Sequence, residues 1–256
     1  MNRWKPWVLS ALGAVLALVA WWIASDQAGS IYFPPLQDVL EGVWTYWVVG
    51  DGGRHLASSM VNLFAGLAIG VVGGFVLGLL IGQSRLVRTA LTPSLEFVRA
   101  IPATALIPFA MVVFGLGSEM KIFIIALGTL FPILLNVIDG ARELSQEARD
   151  TASSFGIRGW QKQWRVVIPS VLPRAAAGIR IALPLSLVLV VTSEMTGSNT
   201  GIGYVLITAQ NSFNQTSVWG AIVLLGVLGV ILNSLFGLVE HRLLAWDKGL
   251  HRQGDH

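Results

Sequence analysis

"GLAIGVVGGFVLGLLIG", residues 66–82, decides the fold of this chain. It carries no charge and lies within an apolar run from about Ser59 to Ile81, long enough for a membrane-crossing helix, which needs roughly 20 residues. Glycine recurs at every fourth position of this run, at Gly66, Gly70, Gly74, Gly78 and Gly82. On a helix, these glycines form one smooth stripe that lets another helix backbone approach closely. We expect the stripe to contact protein, either as static packing or as a surface that slides during a conformational cycle.

The composition of the whole chain is that of a membrane protein. Hydrophobic residues make up 54% of the 256 residues and charged residues only 12%, whereas an ordinary soluble domain has about 25% charged residues. The chain has no cysteine, which excludes disulfide bonds, thiolate metal sites and a cysteine nucleophile. We predict a single all-α polytopic membrane domain over residues 1–256.

Six apolar segments predict about six transmembrane helices: 7–23, 59–81, 103–114, 122–137, 181–192 and 218–239. With a cytoplasmic N-terminus, all Lys and Arg residues except Arg54 and Lys121 fall on the cytoplasmic side. The positive charge therefore reflects topology and requires no nucleic-acid partner. We predict that both termini are cytoplasmic. The first segment, preceded by Arg3 and Lys5, could also be a cleaved signal peptide, but its length favours a retained helix.

The longest predicted cytoplasmic connection, residues 143–173, is polar and basic. It predicts a first helix over 143–155, ended by Gly156 as a C-terminal cap, and a second short helix from about Arg158. Pro169 and Pro173 are expected to end the second helix. In that helix an apolar side opposes a basic one, with Trp160, Trp164, Val167 and Val171 facing away from Lys162 and Arg165. Such a pair of helices could lie on lipid headgroups or bind another protein.

One acidic residue stands out in the predicted spans, because Glu194 is the only charge between Arg180 and Glu240. Charges at membrane depth are costly and often functional. Glu194 and its polar neighbours Thr192, Ser193 and Thr196 are therefore candidates for lining a solute pathway or meeting a docked partner. The alternative is an ordinary solvated helix end.

The sequence contains no common signature of a catalytic site. No G-x4-G-K-[ST] phosphate loop, H-E-x-x-H metal motif or G-x-S-x-G nucleophile motif occurs, and the four histidines are scattered. We therefore predict that the chain is not an enzyme, binds no metal or cofactor itself, and receives energy from another subunit.

The order Asp150-Thr151-Ala152, three residues, Gly156, nine residues, Val166-x-Ile168-Pro169 resembles the loop E-A-A-x3-G-x9-I-x-L-P of ABC importer permeases. Five further stretches resemble the nitrate, sulfonate and taurine branch of these permeases, so the resemblance covers about residues 33–247: "FPPLQDVL", "FVRAIPATALIPFAMVVFGLG", "KIFIIALGTLFPILLN", "VIPSVLPRAAAGIRIAL" and "SEMTGSNTGIGYVL". Ala100 and Ala103 depart from that branch, which usually has prolines at these positions.

The resemblance implies a type I importer fold in the bacterial plasma (inner) membrane. It implies a homodimer, two cytoplasmic ATPase subunits that hold ATP and Mg, an external solute-binding protein, and a small anionic solute carried by alternating access. It also implies that the 143–173 segment couples the permease to the ATPase through Asp150, Ala152, Gly156, Trp160, Lys162, Trp164, Arg165, Ile168 and Pro169. A secondary transporter driven by an ion gradient, or a membrane scaffold that docks a cytoplasmic partner, are the alternatives.

Overall fold

The computed structural model describes residues 12–13, 16, 19–25, 32–144, 151–152 and 154–244. Apart from a three-residue α-helical turn at Trp160–Lys162, the α-helices with both ends in this part of the chain are α1 Leu36–Gly42, α2 Gly52–Gln83, α3 Arg85–Ala100, α4 Ile107–Phe114, α5 Ser118–Glu143, α6 Ile168–Met195, α7 Ile202–Asn211 and α8 Gln215–Leu243. A π-helical turn, Val43–Val49, follows α1, and a 3₁₀ turn, Ala103–Leu106, precedes α4. These described residues contain no β-strand, so the all-α prediction is confirmed.

Four described helices are long and apolar enough to cross a membrane, namely α2, α5, α6 with the turns before it, and α8. The pair α3 and α4 brings the number to five if it counts as one bent span. The second, fourth, fifth and sixth predicted spans are therefore confirmed as apolar helices. The first, residues 7–23, lies largely outside the described residues.

The glycine stripe of α2 packs directly on α5. A Cβ atom added to Gly66 would lie 2.6 Å from the Ile125 Cβ, and one added to Gly82 would lie 2.7 Å from the Ala141 Cβ. The other three glycines make equally close approaches, Gly70 to Thr129, Gly74 to Leu130 and Gly78 to Val137. Hydrogen is thus the only side chain that this spacing accepts, and the stripe contacts protein along its length.

Helix α5 packs on its other side against α6, again through small residues. Gly178 of α6 faces Ile133, and Gly140 of α5 faces Arg174. The side chains of Ile124, Ile133 and Val190 are fully buried between these helices. Helices α2, α5 and α6 therefore form a close-packed core of three membrane-length helices. Helix α8, by contrast, buries only Gly220, Ala221 and Leu232 and leaves most of its apolar surface exposed.

The predicted third span, 103–114, forms one helical unit with these bounds, a 3₁₀ turn followed by α4, but the unit is too short to cross a membrane alone. Only α4, Ile107–Phe114, is α-helical there, and eight residues rise only about 12 Å. It forms a pair with α3, and the two are bent by 77° at residues 101–102. The break has a local cause, because Pro102 cannot donate a backbone hydrogen bond and disfavours the helical conformation of Ile101. Ile101 accordingly has an extended backbone with φ −78° and ψ 118°.

The predicted boundaries of the fifth span, 181–192, are also wrong. Helix α6 begins at Ile168 and continues a short α-helical turn, Trp160–Lys162, and a π-helical turn, Gln163–Val167. The second short helix predicted from Arg158 is therefore the first part of a single long helix. Neither predicted proline ends this helix. Pro169 is the second residue of α6 and follows a π-helical turn, and Pro173 lies inside α6.

Candidate functional site

The end of the first helix in the 143–173 segment is capped as its sequence predicts. Gly156 has a φ of +72°, and the Ile157 N–H donates to the Ala152 carbonyl oxygen at 2.9 Å. This is the hydrogen bond of a Schellman motif, in which the residue after the helix adopts a left-handed conformation that glycine accepts most easily. The Ala152 side chain is buried. The predicted coupling residue Asp150 lies outside the described residues.

Two aromatic side chains are exposed at the start of the long helix. Trp160 and Trp164 are 73% and 56% exposed, and their rings meet edge to face with centroids 5.8 Å apart. Arg165 is exposed beside them, whereas Lys162, Ile168 and Pro169 are partly buried. Exposed paired tryptophans are unusual outside a binding surface or a membrane interface.

The start of this long helix is hydrogen-bonded to the core and packs against it, so it is not a free loop. Gln163 Nε2 donates to Gln83 Oε1 at the end of α2 at 2.7 Å, and Val167 is buried in the core. Arg174 of α6 pairs with both carboxylate oxygens of Glu143 at the end of α5. A force on Trp160 or Trp164 would therefore act on the three-helix core directly.

The break between α3 and α4 opens onto a cavity of about 570 Å³ between these helices, α5 and α6. Its lining is mostly apolar, with Arg99, Thr104 and Asn136 as polar members. Arg99 forms an ion pair with Glu96 at 2.7 Å, and Asn136 Nδ2 donates to the Pro132 carbonyl oxygen at 2.8 Å. At membrane depth, non-helical backbone is tolerated where it is buried in protein or lines a cavity. The cavity therefore accounts for how the break between α3 and α4 is tolerated.

Arg99, Thr104 and Asn136 were not among the sequence-predicted site residues. Two signals could have indicated them: the proline at position 102, which interrupts an apolar segment, and the amide of Asn136 in the predicted fourth span. The predicted topology places Arg99 in a cytoplasmic connection, and the structure places it in the last turn of α3, at the wall of the cavity.

Glu194 and Ser193, two of the residues predicted to line a pathway, are buried in the structure, and their pathway role stays a prediction. Glu194 has no exposed surface in the structure, and Ser59 Oγ lies 2.8 Å from each of its carboxylate oxygens. The Gly203 N–H donates to Glu194 Oε2 at 3.0 Å. Ser193 is also fully buried and donates to the Val190 carbonyl within α6. Both face the interior of the protein, because the start of α7 folds back over the end of α6.

Thr192 and Thr196 are more accessible than these two residues, although their hydroxyls donate to carbonyl groups one turn earlier, those of Val188 and Thr192. Their pathway role stays a prediction. Glu194 is also not the solvated helix end considered as the alternative, since it has no exposed surface.

A second buried charge accompanies Glu194. Lys121, on α5, is 4% exposed and donates to Ser198 Oγ at 2.7 Å. Lys121 and Glu194 attract each other electrostatically across this region. Ser198 in turn donates to the Thr200 carbonyl at 2.5 Å. Buried ionisable groups are costly unless they are hydrogen-bonded, and both Lys121 and Glu194 have hydrogen-bond partners here.

Comparisons with known proteins agree with this architecture. Residues 70–245 match the family model of the binding-protein-dependent transport system inner membrane component. The chain is 32% identical, over 97% of its length and 94% of the relative's, to the putative aliphatic sulfonates transport permease protein SsuC of Escherichia coli (strain K12). It is 29% identical to the taurine transport system permease protein TauC of Escherichia coli (strain K12), over 91% of this chain and 87% of that one.

A solved structure of the MetNI methionine ABC transporter in an inward-facing conformation shares the fold. The match has a TM-score of 0.57 at 22% sequence identity and covers 81% of this chain and 97% of the other. The fold class predicted from sequence, that of a type I importer permease, is thereby confirmed.

Proposed function

Because this chain belongs to the binding-protein-dependent transport system inner membrane components, the permease subunits of ABC importers, we propose that two copies of it form the membrane pathway for a small sulfonate-type anion. Two cytoplasmic ATPase subunits, which hold ATP and Mg, drive the pathway, and an external solute-binding protein delivers the solute. The protein lies in the bacterial plasma (inner) membrane with both termini cytoplasmic, in contact with lipid through the exposed apolar surface of α8.

The observation that carries the coupling part of this proposal is the exposed pair Trp160 and Trp164. The two rings are available to a partner, and the residues belong to a helix that continues without a separate loop into the three-helix core. Aromatic anchors flanked by Lys162 and Arg165 suit an acidic apolar groove on a partner subunit. The segment 143–173, with Asp150, Ala152, Gly156, Ile168 and Pro169, then acts as the coupling element.

The substrate class follows from the relatives and from the cavity. The two relatives carry aliphatic sulfonates and taurine in their names, and both kinds of compound bear a sulfonate group. Arg99 places a guanidinium at the wall of the cavity, and guanidinium groups bind tetrahedral oxyanions with two parallel hydrogen bonds. A volume of about 570 Å³ has room for such a solute and water.

Reconstitution tests the proposal. The chain would be placed in proteoliposomes with the ATPase and binding protein that copurify with it, and uptake of radiolabelled taurine and an alkanesulfonate would be followed. We expect uptake that requires ATP and the binding protein. Uptake driven by an ion gradient without an ATPase would replace the proposal with a secondary transporter. No flux of any sulfonate, taurine or nitrate with all partners present would favour the scaffold alternative.

A further inference from the structure

The beginning of α7 is held by side chains from two other helices. The Gly201 N–H donates to His55 Nδ1 at 3.2 Å, the Ile202 N–H to Ser59 Oγ at 2.8 Å, and the Gly203 N–H to Glu194 Oε2 at 3.0 Å. The first N–H groups of a helix have no partner within the helix, and water or a local side chain usually satisfies them. Here side chains of α2 and α6 accept hydrogen bonds from three such N–H groups in succession.

The fit around the Glu194 carboxylate is close. A Cβ atom on Gly201 would overlap the carboxylate, and one on Gly203 would overlap the Val191 carbonyl oxygen of α6. Gly201 also has a φ of +113°, which residues with a side chain rarely adopt. The negative charge of Glu194 lies at the positive end of the α7 dipole, which adds an electrostatic attraction to the hydrogen bond.

Glu194 lies almost at the end of a continuous helix that begins in the coupling segment. From Trp160 to Met195 this helix has 36 residues, which correspond to about 54 Å at 1.5 Å per residue. Along that length it packs on α5, and α5 packs on the glycine stripe of α2. The two helices that hold α7 are therefore members of the same close-packed core.

We propose that Glu194 is a positioning residue that makes α7 move with this core, so that a displacement of the 143–173 segment reaches the opposite face of the protein. The inference rests on the proposed function. The segments that would move with the core are α7 itself and the exposed turn Ser212–Asn214, in which Phe213 is 72% exposed. Helix α8 follows the turn, and its Ala221 packs with Ile202 and Val205 of α7 in a second apolar cluster.

Distance measurements with spin labels test this inference. The chain has no cysteine, so a single introduced cysteine can be labelled in each copy. Ser170→Cys on α6 reports on the cytoplasmic end and Gln210→Cys on α7 reports on the outer end, since both positions are exposed. Distances between the two copies would be measured in the complete complex in lipid nanodiscs, without nucleotide and after trapping with ATP, Mg and vanadate.

We expect both distances to shift with nucleotide in the parent. In Glu194→Ala, the shift at Ser170 should remain and the shift at Gln210 should be lost. Taurine transported per ATP hydrolysed should fall roughly tenfold, the factor that corresponds to leaving a buried hydrogen-bonding group without its partner. A purely structural role would reduce the amount of folded complex without changing that ratio.

The matched control is Ser186→Ala, which removes a buried hydroxyl of α6 that donates within its own helix, to the Leu183 carbonyl. It should behave as the parent. If Glu194→Ala does not assemble, Ser59→Ala removes one of the three attachment points and should give a partial loss of the Gln210 shift. A full Gln210 shift in Glu194→Ala, or in Ser59→Ala when only that variant assembles, would overturn the inference.

Two results in the parent separate this inference from the proposed function. A shift at Ser170 with none at Gln210 would overturn the role of Glu194 and leave the coupling proposal standing. No shift at either position, with the ATPase bound and nucleotide trapped, would overturn the coupling proposal and the inference with it.

Discussion

Gly78 of α2 lies against Val137 of α5 so closely that a methyl group on Gly78 would come within 2.6 Å of the Val137 Cγ1 and 2.9 Å of the Leu134 carbonyl oxygen. The second of these neighbours is backbone and cannot rotate away. The absence of a side chain at Gly78 is therefore required by the helix contact itself.

Gly78→Ala should destabilise the protein by about 1–3 kcal/mol, the range for overpacking a close-packed interior. Its matched control is Gly237→Ala on α8, where an added Cβ meets nothing within 4 Å. That change should leave stability unchanged or raise it by roughly 0.5–1 kcal/mol, since alanine is the better helix former. Thermal unfolding in detergent measures both. Equal effects of the two substitutions would contradict the packing explanation.

Gly156 is constrained by its backbone conformation and not by space, since a Cβ atom there would meet nothing within 4 Å and φ is +72°. Gly156→Val should therefore abolish ATP-driven transport while leaving membrane insertion intact, because the cap that shapes the coupling segment is lost. Gly156→Asn should keep most of the transport, because asparagine tolerates this conformation. Normal ATP-driven uptake by the valine variant would contradict the coupling assignment.

The residues that sequence predicted well are those whose neighbours are implied by a regular pattern. Glycine at every fourth position defines a helix face whatever lies opposite, and Gly156 after a helical segment indicates a cap. The pattern did not identify α5 as the partner of the stripe. The partner is set by the packing of the whole core, and the spacing of residues within one helix carries no information about it.

Glu194 shows the limit of such reasoning. Its sequence neighbourhood shows a lone carboxylate near the end of an apolar run, which suits a pathway residue. Ser59, which hydrogen-bonds to it, lies 135 positions away, and Gly203 reaches it only because the chain reverses between α6 and α7. Similarly, the sequence shows a proline at position 102, but it does not show that the chain bends by 77° there or that a cavity opens at the bend.

Trp160→Ala combined with Trp164→Ala should weaken association with the ATPase while leaving the unfolding temperature of the isolated permease nearly unchanged, because both rings are mostly exposed. Truncating two aromatic anchors costs about 2 kcal/mol or more of binding free energy at many interfaces. Copurification and titration with the ATPase measure the loss. The control is Phe213→Ala, an aromatic residue 72% exposed on the turn after α7, which should not alter ATPase binding.

Lys121→Met should destabilise the protein, because it removes a buried ammonium group that donates to Ser198 and attracts Glu194 electrostatically. We expect a loss of about 1–3 kcal/mol. Combining it with Glu194→Gln should cost less than the sum of the two single changes by at least about 0.5 kcal/mol, since the two groups are coupled. Strict additivity in thermal unfolding would show that the two charges do not interact.

Arg99→Ala should raise the solute concentration needed for half-maximal uptake of taurine, because the guanidinium is the cationic group in the lining of the cavity between α3 and α6. Hydrogen bonds to a charged partner contribute about 1.5–3 kcal/mol, so the expected rise is roughly tenfold or more. Arg99→Lys should restore part of the affinity, because lysine keeps the positive charge but cannot form the two parallel hydrogen bonds of a guanidinium group.

The matched control is Arg85→Ala, which changes an exposed arginine at the other end of α3 that does not line the cavity. Because the external binding protein also selects the solute, uptake is measured with that protein saturated, so that a change reports on the permease. If Arg99→Ala and Arg85→Ala have the same effect, the cavity is not the route of the anion.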